Sequence, residues 1–170
     1  MKTDPKNKIK VNFYYIKSEF KNILLRFCKK ILLKGEKLLV NLNNDNDLRL
    51  VDDYLWTNDR NGFLPHTIFN EKLSDIEKIV LFKGSYRNMT KLENFKQIVI
   101  APNVKVESLK YFNKFFIFSN ETITNHKLSD IQQKLENKNF DCKYFYEYQN
   151  LKWKILNKKR RNYESYFINY

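Results

Sequence analysis

The sequence predicts an α/β domain of three layers, α/β/α, built on a mostly parallel sheet that ends in an antiparallel hairpin. Three observations predict it. Strand-like and helix-like patterns alternate through the first third of the chain. Short apolar runs rich in Ile, Val and Phe recur through the middle, too short for core helices and composed as buried strands are. Two further runs, Cys142 to Tyr148 and Leu151 to Ile155, meet at Gln149-Asn150 and read as a hairpin.

Taken in order, Val11 to Ile16 (VNFYYI) reads as the first strand. An amphipathic helix follows, with Phe20, Ile23, Leu24, Phe27 and Ile31 at helical spacing and Gly35 placed to end it. KLLVNL, Lys37 to Leu42, is the second strand. Asn44 or Asp45 can cap the next helix by accepting from its free N–H groups. That helix ends at Trp56, and Leu48, Val51 and Leu55 fall on its inner face. Ile79 to Phe82, Gln97 to Ala101 and Lys114 to Ser119 are the middle strands. Val106 to Phe112 is expected to form a helical turn or two. Glu121 to Asn137 reads as a polar helix with Leu128, Ile131 and Leu135 as its inner stripe.

Composition sets the scale. A chain of 170 residues fits one ordinary domain. Such a chain buries around 70% of its extended surface. With 42% hydrophobic and 16% aromatic residues it can fill a core, and 30% charged residues make a solvated surface. The net charge of +13 is uneven: four Lys and one Asp lie in residues 1 to 10, and six Lys or Arg with one Glu lie in residues 152 to 170. A surplus of this size suits nucleic acid, an acidic protein segment or solubility alone. The abundance of Lys, Asn, Ile, Phe and Tyr also fits a genome rich in A and T, so position matters more than count.

Cys28 and Cys142 lie inside regular elements among apolar neighbours and read as reduced core residues. No apolar stretch is long enough to span a membrane, and the start MKTDPKNKIK lacks the apolar segment of a secretory signal, so the cytoplasm is the expected compartment.

Sheets of this kind often bind nucleotides at their strand ends, through phosphate-binding glycines. Here Gly35, Gly62 and Gly84 are the only glycines and none belongs to such a string. The plan is thus Rossmann-like without a nucleotide-binding motif, and no cofactor is expected. Asp52 and Asp53 are neighbours on a helix, about 100° apart around its axis, and read as surface charges. His66 and His126 are the only imidazoles, and neither has a second ligand at metal-binding spacing. His66 is expected to orient its loop by a hydrogen bond to backbone. No catalytic residue and no metal ligand is assigned.

Leu50 to Thr67, LVDDYLWTNDRNGFLPHT, is the most distinctive stretch. Trp56 closes a helix, a polar turn follows, and Phe63 and Leu64 leave it extended because Pro65 disfavours helix in the residue before it. Two readings fit the rings of Trp56 and Phe63: they close the core over the helix, or they stand together as an interface anchor. Two large rings flanking a polar loop favour the second.

This block resembles that of the chi accessory subunit family of bacterial DNA polymerase III, in which an L-x-x-x-L-W segment precedes F-[LV]-P-H. The strands and helices from Lys10 to Leu156 follow in register, and Asn139 to Ile155 looks like the family's closing hairpin, with Trp153 as its tryptophan. The resemblance implies a non-catalytic, clamp-loader-associated adaptor, a monomer alone or a heterodimer with a psi-like partner, touching DNA mostly indirectly. It implies contact with the psi-like subunit, or a helicase-like protein using the same surface, through Trp56, Phe63, Leu64, Pro65 and His66. It further implies a site for the acidic C-terminal tail of single-stranded-DNA-binding protein on the last helix, where Lys127, Lys134 and Lys138 are the available cations. That helix departs from the family in having no Arg and no Tyr or Trp before Phe140. Lysine pairs a carboxylate as a point charge, without the bidentate fork.

Residues 1–9 read as a basic arm, 10–156 as the chi-like domain and 157–170 as a basic-aromatic extension. In the extension Lys158, Lys159, Arg160 and Arg161 precede Tyr163, Tyr166, Phe167 and Tyr170, a pattern that can grip phosphates and stack bases. A solvated tail folding back onto the domain is the favoured reading, and a helix with those aromatics on one stripe is the intermediate case. The alternative function is therefore a stand-alone basic nucleic-acid-binding protein that uses this tail.

Overall fold

Branched and aromatic residues concentrate in short runs that become strands, and longer amphipathic stretches become helices. The computed structural model describes residues 8–58, 63–70, 72–87, 94–120, 140–156 and 165–168, with backbone alone at 156 and 165–168. In chain order the elements are β1 (Ile9–Tyr15), α1 (Phe20–Leu33), β2 (Leu38–Leu42), α2 (Asp45–Thr57), β3 (Thr67–Ile68), β4 (Ile79–Lys83), β5 (Gln97–Ile100), β6 (Lys114–Ser119), β7 (Phe140–Gln149), β8 (Lys152–Leu156) and β9 (Ser165–Ile168).

The described strands form one nine-stranded sheet in the order β3-β4-β2-β5-β6-β1-β7-β8-β9. Pairing is parallel from β3 through β7, then antiparallel from β7 to β8 and from β8 to β9. The fold is thus the expected α/β class, a mostly parallel sheet with a C-terminal antiparallel hairpin.

The connections β1-α1-β2 and β2-α2-β4 run the same way across the sheet, and right-handed crossovers then place both helices on one face. Packing agrees: Ile23, Leu24, Cys28 and Ile31 of α1 and Leu48, Val51 and Leu55 of α2 share a cluster with Val40, Leu81, Phe116 and Trp153. Tyr14 lies in this layer, stacked on Phe118 and Phe145 at 4.8 and 4.6 Å between ring centroids. On the opposite face a second cluster gathers Phe13, Leu39, Val80, Ile98 and Phe115, and connecting segments contribute Tyr86, Phe95 and Phe112. The polar helix expected at Glu121–Asn137 lies outside the described residues.

Local chemistry ends the helices as anticipated. The Asn44 side chain accepts from Asp47 N–H at 2.9 Å and caps α2. Gly35, at φ 68°, reverses the chain after α1, a conformation that suits a residue without Cβ.

Three local expectations change. Residues 106–112 bend without a helical turn, and Glu107 and Ser108 donate their N–H groups to Tyr86 Oη rather than to carbonyls three or four residues earlier. The short edge strand β3 follows the Pro65 turn. Residues 165–168 of the extension pair with β8 from Ser165–Leu156 to Ile168–Trp153, so this part is a strand rather than a helix. A helical stripe is excluded there because the backbone is already committed to the sheet.

Candidate partner-docking surface

Helix α2 delivers Trp56 to the protein surface. Its inner stripe is spent on the core by Leu55, so the next residue, about 100° further round, faces outward. Trp56 is 50% exposed and Phe63 is 58% exposed. Their rings lie 4.6 Å apart between centroids and are tilted by 44°. The polar loop therefore brings the two aromatics together in the open rather than folding either into the core.

The rest of the tetrad supports them. Leu64 is buried, so it anchors the chain beneath the patch and is not itself presented to a partner. Pro65 is exposed. The His66 ring packs 5.1 Å from that of Trp56, and its side chain is enclosed. His66 Nδ1 lies 2.7 Å from the Leu64 carbonyl oxygen, the backbone hydrogen bond expected of it. Nε2 lies 3.2 Å from Asp52 Oδ1. Both neighbours are acceptors, so only a ring carrying both protons donates to both.

Asp52 is accordingly not a free surface charge, as its sequence context suggests, but the second tether of His66. That contact sets the imidazole against the flank of α2.

Beside the rings lies an open cavity of about 700 Å³ between the end of α1 and the start of β4. Phe63, Leu33 and Ile76 line it, and the last two are 88% and 86% exposed. Exposed apolar side chains gathered in one place mark an interaction surface more strongly than scattered ones. Leu33 and Ile76 were not legible as members. Leu33 ends a helix and Ile76 is a lone apolar residue in a polar segment, and only the fold brings them to Phe63.

A second feature occupies the carboxyl ends of β1 and β7. Glu147 is fully buried. Its carboxylate accepts from the N–H groups of Lys17 at 2.7 Å, Ser18 at 2.9 Å and Leu151 at 2.7 Å, and from the Ser18 hydroxyl. Burial pushes this carboxyl up, but the hydrogen bonds from Ser18, Leu151 and Lys17 outweigh it and hold the group below the ordinary carboxylate range. The network ties the β7-β8 turn, where Leu151 has φ 58°, to the segment entering α1.

Among the described residues no group of three or more His, Cys, Asp or Glu could hold a metal ion. Cys28 and Cys142 are free thiols, Cys28 buried and Cys142 partly so. No helix among the described residues is long and apolar enough to cross a membrane. Lys127, Lys134, Lys138 and Lys158 to Arg161 lie outside the described residues.

No curated protein matches the chain. The family model of the DNA polymerase III chi subunit, HolC, matches residues 9–128, which takes in the strands from β1 to β6, both helices and the whole Trp56–His66 block. With that share of the sequence matched, the chain belongs to the DNA polymerase III chi subunit family.

Proposed function

We propose that this chain is a non-catalytic adaptor of the replicative polymerase. Through Trp56, Phe63 and Pro65, held in place by Leu64 and His66, it binds a psi-like subunit or a helicase-like protein that uses the same surface. By that contact it joins the clamp-loader complex and links it to the acidic tail of single-stranded-DNA-binding protein. The observation that carries this reading is the exposed Trp56–Phe63 ring pair beside an apolar cavity. Membership in a family of polymerase accessory subunits supports it.

Calorimetric titration of the full chain with the psi-like subunit or clamp-loader complex of the same organism tests it. Trp at an interface centre contributes about 2 kcal/mol or more, so Trp56→Ala and Phe63→Ala should each weaken binding about thirtyfold. Thermal midpoints should barely change, since both rings are half exposed. Unchanged affinity in both variants would sink the docking assignment. The link to single-stranded-DNA-binding protein is tested with a peptide carrying an acidic stretch and a C-terminal Pro-Phe; binding that disappears without the terminal Phe is the supporting result.

A further inference from the structure

On the other flank of α1 from the aromatic pair lies a second cleft, of about 560 Å³, between the helix and the adjacent strands β6, β1 and β7. Cations line both walls. Arg26, Lys30 and Lys34 recur every four residues along α1, which sets them about 6 Å apart along the helix axis. Lys10, Lys114 and Lys143 rise from three neighbouring strands, about 4.8 Å apart from strand to strand. Among the described lining residues only Glu36 and Asp141 oppose them, and Asp141 is the register partner of Lys10 in the β1–β7 pair.

Six cations to two carboxylates leave a positive excess among the described lining residues. Lys10 is the direct register partner of Lys114 in the β1–β6 pair, and like charges directly opposite in a sheet repel. Lys114 Nζ lies 4.7 Å from the centroid of the Phe116 ring, which holds the ammonium down on the cleft floor. Burial lowers the affinity of Lys114 for its proton, Glu36 restores part of it, and Lys34, Lys10 and Lys143 lower it further. A bound polyanion would relieve that repulsion.

Five of the six cations are lysines, point charges without the planar fork that selects carboxylates, and they are spread over two parallel walls rather than gathered at one point. The rings on the floor are already engaged with one another: Tyr14 is stacked on Phe118 and Phe145, and Phe27 packs edge-on against Phe116. Cations spaced along two walls suit a phosphodiester backbone held through its phosphates. A cleft of this volume is too small to admit a duplex.

We propose that the cleft between α1 and the β6-β1-β7 strands binds single-stranded nucleic acid directly, through its phosphates and without sequence preference. This site is separate from the Trp56–Phe63 surface and does not depend on the function assigned to it.

Fluorescence anisotropy of a labelled oligothymidylate with the full-length chain, repeated across salt concentrations, tests the proposal. The triple variant K10Q/K114Q/K143Q should bind at least tenfold more weakly in low salt. Each phosphate contact contributes about 0.7 to the log–log salt slope for single strands, so three lost contacts should flatten it by about 2. K30Q/K34Q, at two exposed positions at the end of α1, should shift affinity in the same direction, and Trp56→Ala should leave it unchanged. Wild-type affinity in both lysine variants would overturn the proposal. So would loss confined to K158Q/K159Q/R160Q/R161Q, which would move the contact to the C-terminal extension. Equal binding of a duplex would overturn the single-strand assignment, and a glutamate-rich peptide that binds where the oligonucleotide does not would give the cleft to an acidic protein segment.

Discussion

Replacing Glu147 by Gln isolates the contribution of one buried charge with almost no change of shape. In the native network one carboxylate oxygen takes the N–H groups of Lys17 and Ser18, and the other takes Leu151 N–H and the Ser18 hydroxyl. A glutamine amide offers a single oxygen. Its best placement keeps that oxygen on Lys17 and Ser18, turns the NH2 toward Ser18 Oγ, which can reverse and accept, and strands Leu151 N–H. One stranded buried donor destabilises by about 1–3 kcal/mol, and hydrogen bonds to a charged acceptor exceed neutral ones by about 1 kcal/mol. Glu147→Gln should therefore destabilise the fold by about 2–3 kcal/mol, or roughly 4–12 °C in thermal midpoint for a chain of this size.

Glu147→Ala strands three backbone donors and should destabilise by more, about 3–5 kcal/mol once water relieves part of the loss. Urea unfolding followed by circular dichroism reads both. The pH dependence has a fixed sign. The folded-state carboxyl is held below its unfolded value, so its stabilisation is present above about pH 4.3 and is lost as pH falls through the lower folded value. The gap between wild type and the Gln variant should therefore close on acidification. A Gln variant within about 0.5 kcal/mol of wild type at neutral pH, the scatter of ordinary surface substitutions, would refute the reasoning.

Asn44→Ala should lower stability by about 1 kcal/mol, the usual effect of losing an N-cap, measured by the same urea titration. Tyr86→Phe removes the hydroxyl that accepts from Glu107 and Ser108 N–H and donates to the Ser108 carbonyl, and should destabilise by about 1–3 kcal/mol. Hydrogen exchange at those two amides should rise with it. Cys28 is buried and its thiol is pushed far up by burial, so a thiol-reactive dye at neutral pH should leave it unlabelled in the folded protein and label it in urea. Cys142, raised by burial and by Asp141, should react more slowly than a free thiol. Rapid native labelling of Cys28 would contradict the packing described for α1.

Much of the fold was legible because it is written in short-range pattern. Lys114 to Ser119 is a strand end for end, and Leu48, Val51 and Leu55 are the buried stripe of α2 as their spacing requires. Strand order was not legible, since pairing partners such as Lys10 and Lys114 are brought together only by tertiary structure. The same separation hid the cationic cleft: its lysines come from strands far apart in sequence and look scattered along the chain. Residues 165–168 escaped because they are few and follow a basic run, so nothing local distinguishes an added edge strand from a tail. At the docking surface the aromatic pair was readable from the block, while Asp52, Leu33 and Ile76 needed the fold to bring them to His66 and Phe63.

The seat of Glu147 bears on the crevice at the carboxyl ends of the strands. In nucleotide-binding relatives of the doubly wound plan, the backbone amides between the first strand and the first helix receive a phosphate. Here the amides of Lys17 and Ser18, at that same junction of β1 and α1, are already filled by a carboxylate from β7. The protein carries its own anion in the phosphate's place. A nucleotide would have to evict a buried, fully hydrogen-bonded charge before making its first contact. The same carboxylate fastens the β7–β8 turn to the start of α1, at the place where that plan would otherwise receive a phosphate.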